Sequence, residues 1–191
     1  TGIDLNHQDL EGQIIGGYDF VDNDEIPEDT NGHGTQVAGI IASNGNLKGI
    51  APNSKILMYK VSEDGESVPS HLIIKAIEKS IEDNADIINI SLGINQTNTK
   101  IDQAVNKAVK NNIFVVTAAG NFGPELSTIG SPGINPNAIT VGATFNNVTS
   151  SLVSTFEIED KSFNVFPMVG TQALTEPITS QIIFGKYGRA N

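Results

Sequence analysis

Apolar side chains recur along this chain in two alternating rhythms. Between residues 70 and 84, Ile73, Ile74, Ile77 and Ile81 fall at three- and four-residue steps, while Lys75, Glu78, Lys79 and Glu82 take the other side. That spacing predicts an amphipathic helix, and the charges on its outer face are set for local pairing in solvent rather than for binding. The same rhythm returns over residues 99–111, with Ile101, Ala104, Val105, Ala108 and Val109 as the buried stripe. Around these helices lie short, nearly continuous apolar runs at 54–61, 86–91, 113–118 and 138–143. Such runs suit central parallel strands covered on both sides. Strands alternating with helices predict an α/β fold, a doubly wound parallel sheet in three layers, with ligands at the carboxyl ends of the strands. After about residue 144 the rhythm changes to strand-like pieces at 154–158 and 177–184 with no helical period. The chain therefore divides into an α/β part, residues 1–146, and a β-rich part, residues 147–191.

Composition narrows the field. Hydrophobic residues make up 38% of 191, enough for a real core, and 11 basic against 22 acidic residues give a net charge of −11. Nucleic-acid affinity comes largely from Lys and Arg on phosphates, so that class is excluded; anionic membranes are disfavoured for the same reason. The chain has no cysteine, which removes disulfides, thiol catalysis and cysteine-based zinc sites. No apolar run approaches the ~18 residues of a membrane helix, and no signal-peptide pattern is present. Thr1-Gly2-Ile3-Asp4 reads as the interior of a motif, so the natural start is expected upstream of Thr1.

Three places carry candidate chemistry. His33 stands between Gly32 and Gly34, ahead of the small, apolar stretch Val37–Ala42. Little would obstruct its imidazole there, as a general base requires; the competing reading is a histidine in a glycine turn that caps a helix. Asn121 follows Gly120 directly after the run at 113–118, where its side-chain NH₂ could serve a developing oxyanion or merely sit in a turn. Ser91-Leu92-Gly93 ends another run and offers either an open edge for an extended peptide or an ordinary exit into a loop.

The ordered set is more specific than its members. Asn31-Gly32-His33-Gly34-Thr35 with Val37-Ala38-Gly39 resembles the catalytic-histidine motif of the subtilisin-like serine proteases. Ser91-Leu92-Gly93 resembles their substrate-binding strand end, and Ala118-Ala119-Gly120-Asn121 their oxyanion motif. Thr1-Gly2-Ile3-Asp4 resembles the sequence just after their catalytic aspartate. Gly49-Ile50-Ala51-Pro52, Ser131-Pro132-Gly133 and Val141-Gly142-Ala143 follow in the family's order, so the resemblance covers about residues 1–144. It implies a serine endopeptidase with His33 as general base and Asn121 as oxyanion donor. Ser91, Leu92 and Gly93 would pair with substrate, and Gly120 would help form the primary specificity pocket. Asp29 would shape a neighbouring subsite or serve as a turn carboxylate.

The pattern also departs from the family. Its aspartate would precede Thr1, and Asp4 is no substitute because it lies on the wrong side of the motif. No Gly-Thr-Ser occurs; Gly170-Thr171-Gln172-Ala173 has Gln where the serine would be. Residues 182–188 loosely resemble the opening of a protease-associated β domain, of the kind inserted before the serine in some large secreted relatives. The serine is then expected beyond Asn191, and the chain, a truncated domain, is expected to be inactive by itself. Its partners would be protein or peptide substrates, and its location extracellular, secreted or at the cell surface. Loss of covering elements should expose apolar surface and favour association with another chain. No cofactor or metal site is indicated: the histidines lack ligand spacing, and the loop 43–49 is short for a calcium-binding insertion, although Asp9 matches a position that contributes in some relatives. The alternative is a non-catalytic module of the same fold that holds extended peptides.

Overall fold

The computed structural model describes residues 1–123 and 125–143, together with the backbone of residues 154–158 and 161–165. Residues 177–184, 170–173 and 182–188, which carried expectations above, lie outside the described residues. Thr1–Gly142 falls within one compact unit. Its elements are β1 (Ile14–Asp19), α1 (His33–Ala42), β2 (Ile56–Lys60), α2 (Ser70–Glu82), β3 (Ile87–Ile90), α3 (Thr99–Lys110), β4 (Phe114–Ala118) and β5 (Ile139–Val141). A separate unit holds β6 (Ser154–Ile158) and β7 (Lys161–Val165), an antiparallel pair.

All pairing among the first five strands is parallel, in the orders β1-β2 and β3-β4-β5. Within the second group α3 does most of the anchoring. Asn98 caps it, its Oδ1 accepting the amides of Lys100 at 3.1 Å and Ile101 at 3.3 Å, which satisfies donors that a helix start leaves open. Asp102 in the first turn and Lys107 and Lys110 in the last complement the helix dipole. Ile101, Ala104, Val105 and Ala108 turn inward and meet Ile73 and Ile77 of α2, Ile88 and Ile90 of β3, and Val115 of β4. Ile101 and Val105 are fully buried, and burial of an aliphatic side chain of that size contributes about 1.5–3 kcal/mol. A smaller core joins Ile3, Leu10 and Ala38 to Ile14, Ile56 and Met58, seating α1 on β1 and β2.

One face of the β3-β4-β5 sheet exposes apolar side chains, as expected of a truncated domain. Residues alternate along β3 and β4, so the face opposite α2 and α3 carries Ile87 and Phe114, which are 61% and 65% exposed; Ile139 and Val141 of β5 are exposed as well. Among the described residues, this parallel sheet is covered on one side.

Candidate functional site

The residues singled out above gather in two places. The first is the turn before α1. Asp29 is buried, 2% exposed, and both its oxygens are engaged. Oδ1 accepts the amides of Asn31 at 3.1 Å and Gly32 at 2.8 Å; Oδ2 accepts the Thr35 amide at 2.9 Å and its hydroxyl at 2.5 Å. Burial alone would raise the Asp29 pKa, but the Thr35 hydroxyl and the Gly32 and Thr35 amides outweigh it and hold the carboxyl below its ordinary value. These bonds hold the turn, so an effect of Asp29 on a neighbouring subsite would pass through Asn31 and Gly32. His33 is the first residue of α1 and is exposed; its amide donates to Asn31 Oδ1 at 3.1 Å.

The chain's first residues are woven into the same turn. Ile3 bridges Glu28 in parallel, the Asp4 amide donates to the Thr35 hydroxyl at 2.9 Å, and the Gly34 amide donates to Thr1 Oγ1 at 2.8 Å. Backbones approach so closely that only glycine fits: a Cβ on Gly34 would stand 2.0 Å from the Gly2 carbonyl oxygen, and one on Gly2 would stand 2.6 Å from the carbonyl oxygens of Pro27 and Glu28. Thr1 and Gly2 thus lie directly against the turn that presents His33.

The second place is at the carboxyl ends of β3 and β4. Parallel pairing from Ile87↔Phe114 to Ile90↔Thr117 brings the exits of both strands side by side. Gly93 then faces Gly120, a Cβ at the former lying 3.9 Å from the Cα of the latter. Gly120 has φ +96°, and Asn121 follows it, exposed, in a bend. Ser91 is exposed and its hydroxyl accepts from Asn89 Nδ2 at 2.9 Å, whereas Leu92 packs on the core. The segment is held from below: the Ile94 amide donates to the Ser131 carbonyl at 3.0 Å, and Ser131 Oγ donates to Asp102 Oδ1 at 2.8 Å. Among the described residues no hydrogen bond links this cluster to the His33 turn. Nor do any three His, Asp, Glu or Cys side chains among them gather to hold a metal ion; the Asp9 carboxylate instead accepts the loop amides of Asn46 at 2.7 Å and Leu47 at 3.4 Å. No helix among the described residues is long and apolar enough to cross a membrane.

One group near the site carried no signal in the sequence, the ion cluster of Lys60, Asp19 and Glu63. Lys60 and Glu63 are only three residues apart, but Asp19 is distant along the chain, and the β1–β2 register sets it opposite Lys60.

Residues 1–171 match the model of the subtilase family, peptidase S8. The chain is 41% identical over 158 residues to the minor extracellular protease Vpr of Bacillus subtilis, which covers 75% of this chain and 20% of that protein. It is 42% identical over 153 residues to an intracellular serine protease of Paenibacillus polymyxa, covering 75% of this chain and 47% of that one. Among solved structures, sphericase superposes with a TM-score of 0.70 at 31% identity, over 87% of this chain and 55% of its own. The chain thus spans between a fifth and about half of the length of these relatives.

Proposed function

The chain belongs to the subtilase family of serine proteases, and from that premise we propose that residues 1–191 supply the general base, the oxyanion donor and the substrate-pairing strand end of an endopeptidase. The aspartate and serine of the triad lie outside the chain in this scheme, before Thr1 and after Asn191. The observation that carries it is the seating of Thr1 and Gly2 against Gly34. A carboxylate attached just ahead of Thr1 would emerge beside the His33 turn, as an orienting group must.

His33 takes the proton of the attacking serine and returns it to the leaving amine. Asn121 donates its side-chain N–H to the tetrahedral oxyanion. Ser91, Leu92 and Gly93 pair with the backbone of an extended peptide, and Gly120, lacking a side chain, leaves room for the residue at the cleaved bond. Asp29 shapes the neighbouring subsite through the turn it holds. Substrates are proteins or peptides. By itself, the chain has no nucleophile in this scheme and does not turn over. The separate unit Ala143–Ile182 supports a division near 146/147, and the similarity to the extracellular protease Vpr supports a location outside the cell. The exposed Ile87, Phe114, Ile139 and Val141 support association with a covering chain when 1–191 stands alone.

In a protease that carries this chain with its triad complete, His33→Ala abolishes turnover without unfolding. Asn121→Ala lowers kcat by about 10² to 10³, the range known for the equivalent donor of subtilisin itself, with little change in KM. Normal kcat in Asn121→Ala removes Asn121 from that role.

A further inference from the structure

The turn that presents His33 is fastened on a side the triad does not use. Lys60 ends β2 and is 2% exposed. Its ammonium lies 3.1 Å from Asp19 Oδ2 and 2.8 Å from Glu63 Oε2. Asp19 is equally buried, and its other oxygen is filled by the amides of Val21 at 2.7 Å and Asp22 at 3.0 Å. An ammonium has three donors, and burial makes an unfilled one costly. Glu63, 53% exposed, reaches in from the solvent side to supply the second acceptor. Its remaining oxygen, Oε1, accepts the Thr30 hydroxyl at 2.6 Å. Asn31 is tied beside it: Nδ2 donates to the Asp64 carbonyl at 2.8 Å, while Oδ1 accepts the His33 amide. Two adjacent polar ties, Glu63 to Thr30 and the Asp64 carbonyl to Asn31, therefore fasten the segment after β2 to the turn whose backbone leads into His33.

An exposed ion pair between two free side chains is loosely held and screened. Glu63 is in a different situation, because its cation is immobilised by burial and both of its oxygens are occupied. The Lys60 ammonium, then the Thr30 hydroxyl, hold the Glu63 carboxyl below its ordinary pKa. Lys60 would be depressed by burial, but Glu63 and Asp19 more than reverse this and raise it. The ionised pair is thus the form the fold favours on both sides.

We propose that Glu63 is a positioning residue: clamped at one oxygen by Lys60, it holds Thr30 with the other and so fixes the turn that presents His33. This rests on the reading of His33 as the general base. Glu63 touches no reacting atom; it acts through Thr30, and small displacements of a catalytic group suffice to cost rate.

Two substitutions cut the tie from Lys60 through Glu63 to Thr30 at different points. Glu63→Gln removes the charge clamp, and Thr30→Val removes the hydroxyl while sparing the ion pair. Amide hydrogen exchange on the 191-residue chain reads the turn, through Asn31, Gly32, His33 and Gly34, against the β3–β4 amides as an internal reference. Each variant speeds exchange at the turn by about tenfold with the reference unchanged. The double variant does no more than either single one, and Thr30→Ser restores protection. In the protease with its triad complete, both variants lower kcat by about tenfold at constant KM. Unchanged turn exchange, exchange that rises equally in the reference, or an unchanged kcat each overturns the proposal. A complete wild-type protein that shows no turnover sinks the protease reading instead, and the exchange result then decides the clamp alone.

Discussion

The two halves of the candidate site are built by different physics. The strand ends that bring Gly93 to Gly120 rest on a dry core of α2, α3, β3 and β4, in which Ile101 and Val105 are fully buried. The His33 turn lies beside only a small apolar core of Ile3, Leu10 and Ala38; Asp29, Thr35, Thr1, Asn31 and Glu63 hold it by hydrogen bonds and charge. Burial acts without direction and fixes where strands lie, whereas hydrogen bonds fix how a backbone points. A strand end that only has to pair with peptide can rely on the first. A turn that must aim one imidazole needs the second.

This contrast can be broken by experiment. The largest effect is expected at Ile101→Ala, which should cost about 2–5 kcal/mol and lower the midpoint of chemical unfolding of the whole unit; a loss under about 1 kcal/mol would mean that α3 is not the anchor. Asp29→Asn should cost less, about 2 kcal/mol, because the amide group presents N–H to the N–H of Thr35 and leaves a buried donor unpaired. Its damage should concentrate in exchange at the turn rather than in the β3–β4 ladder.

The smallest effect sharpens the comparison through pH. The Asp29 and Glu63 carboxyls are held below their ordinary values. Each therefore contributes stability that is present above about pH 4 and is lost as pH falls below it through the folded-state pKa. Amide shifts of Gly32 and Thr35 should report loosening of the turn in that window while those of Ile88 and Val115 stay native. Simultaneous loss of both regions would show that the turn has no stability of its own to lose.

Legibility in the sequence followed the same division. The helix expected at 99–111 forms as Thr99–Lys110, and the runs at 86–91 and 113–118 form strands Ile87–Ile90 and Phe114–Ala118, because one face buried in one core imposes a clear period. β1 escaped notice: its Gly16-Gly17 pair breaks the apolar run, and glycine is there because a Cβ on Gly17 would stand 2.0 Å from the Met58 carbonyl oxygen of β2. His33, Asn121 and Ser91-Leu92-Gly93 were legible only as an ordered set, since each alone fits an ordinary turn. The contacts that aim His33 could not be read, because Thr30 and Glu63 stand 33 positions apart and neither belongs to a periodic pattern. For Asp29 the residue was legible and its partners were not.

The measurement that tests the central assignment most directly uses a serine-directed phosphonate on two proteins, the isolated 191-residue chain and a protease that carries it with the triad complete. The complete protein should hydrolyse peptides, take up the label on a serine beyond Asn191, and lose both properties in His33→Ala. The isolated chain should remain silent and unlabelled. Peptide turnover by residues 1–191 alone, abolished by the phosphonate, would contradict the assignment.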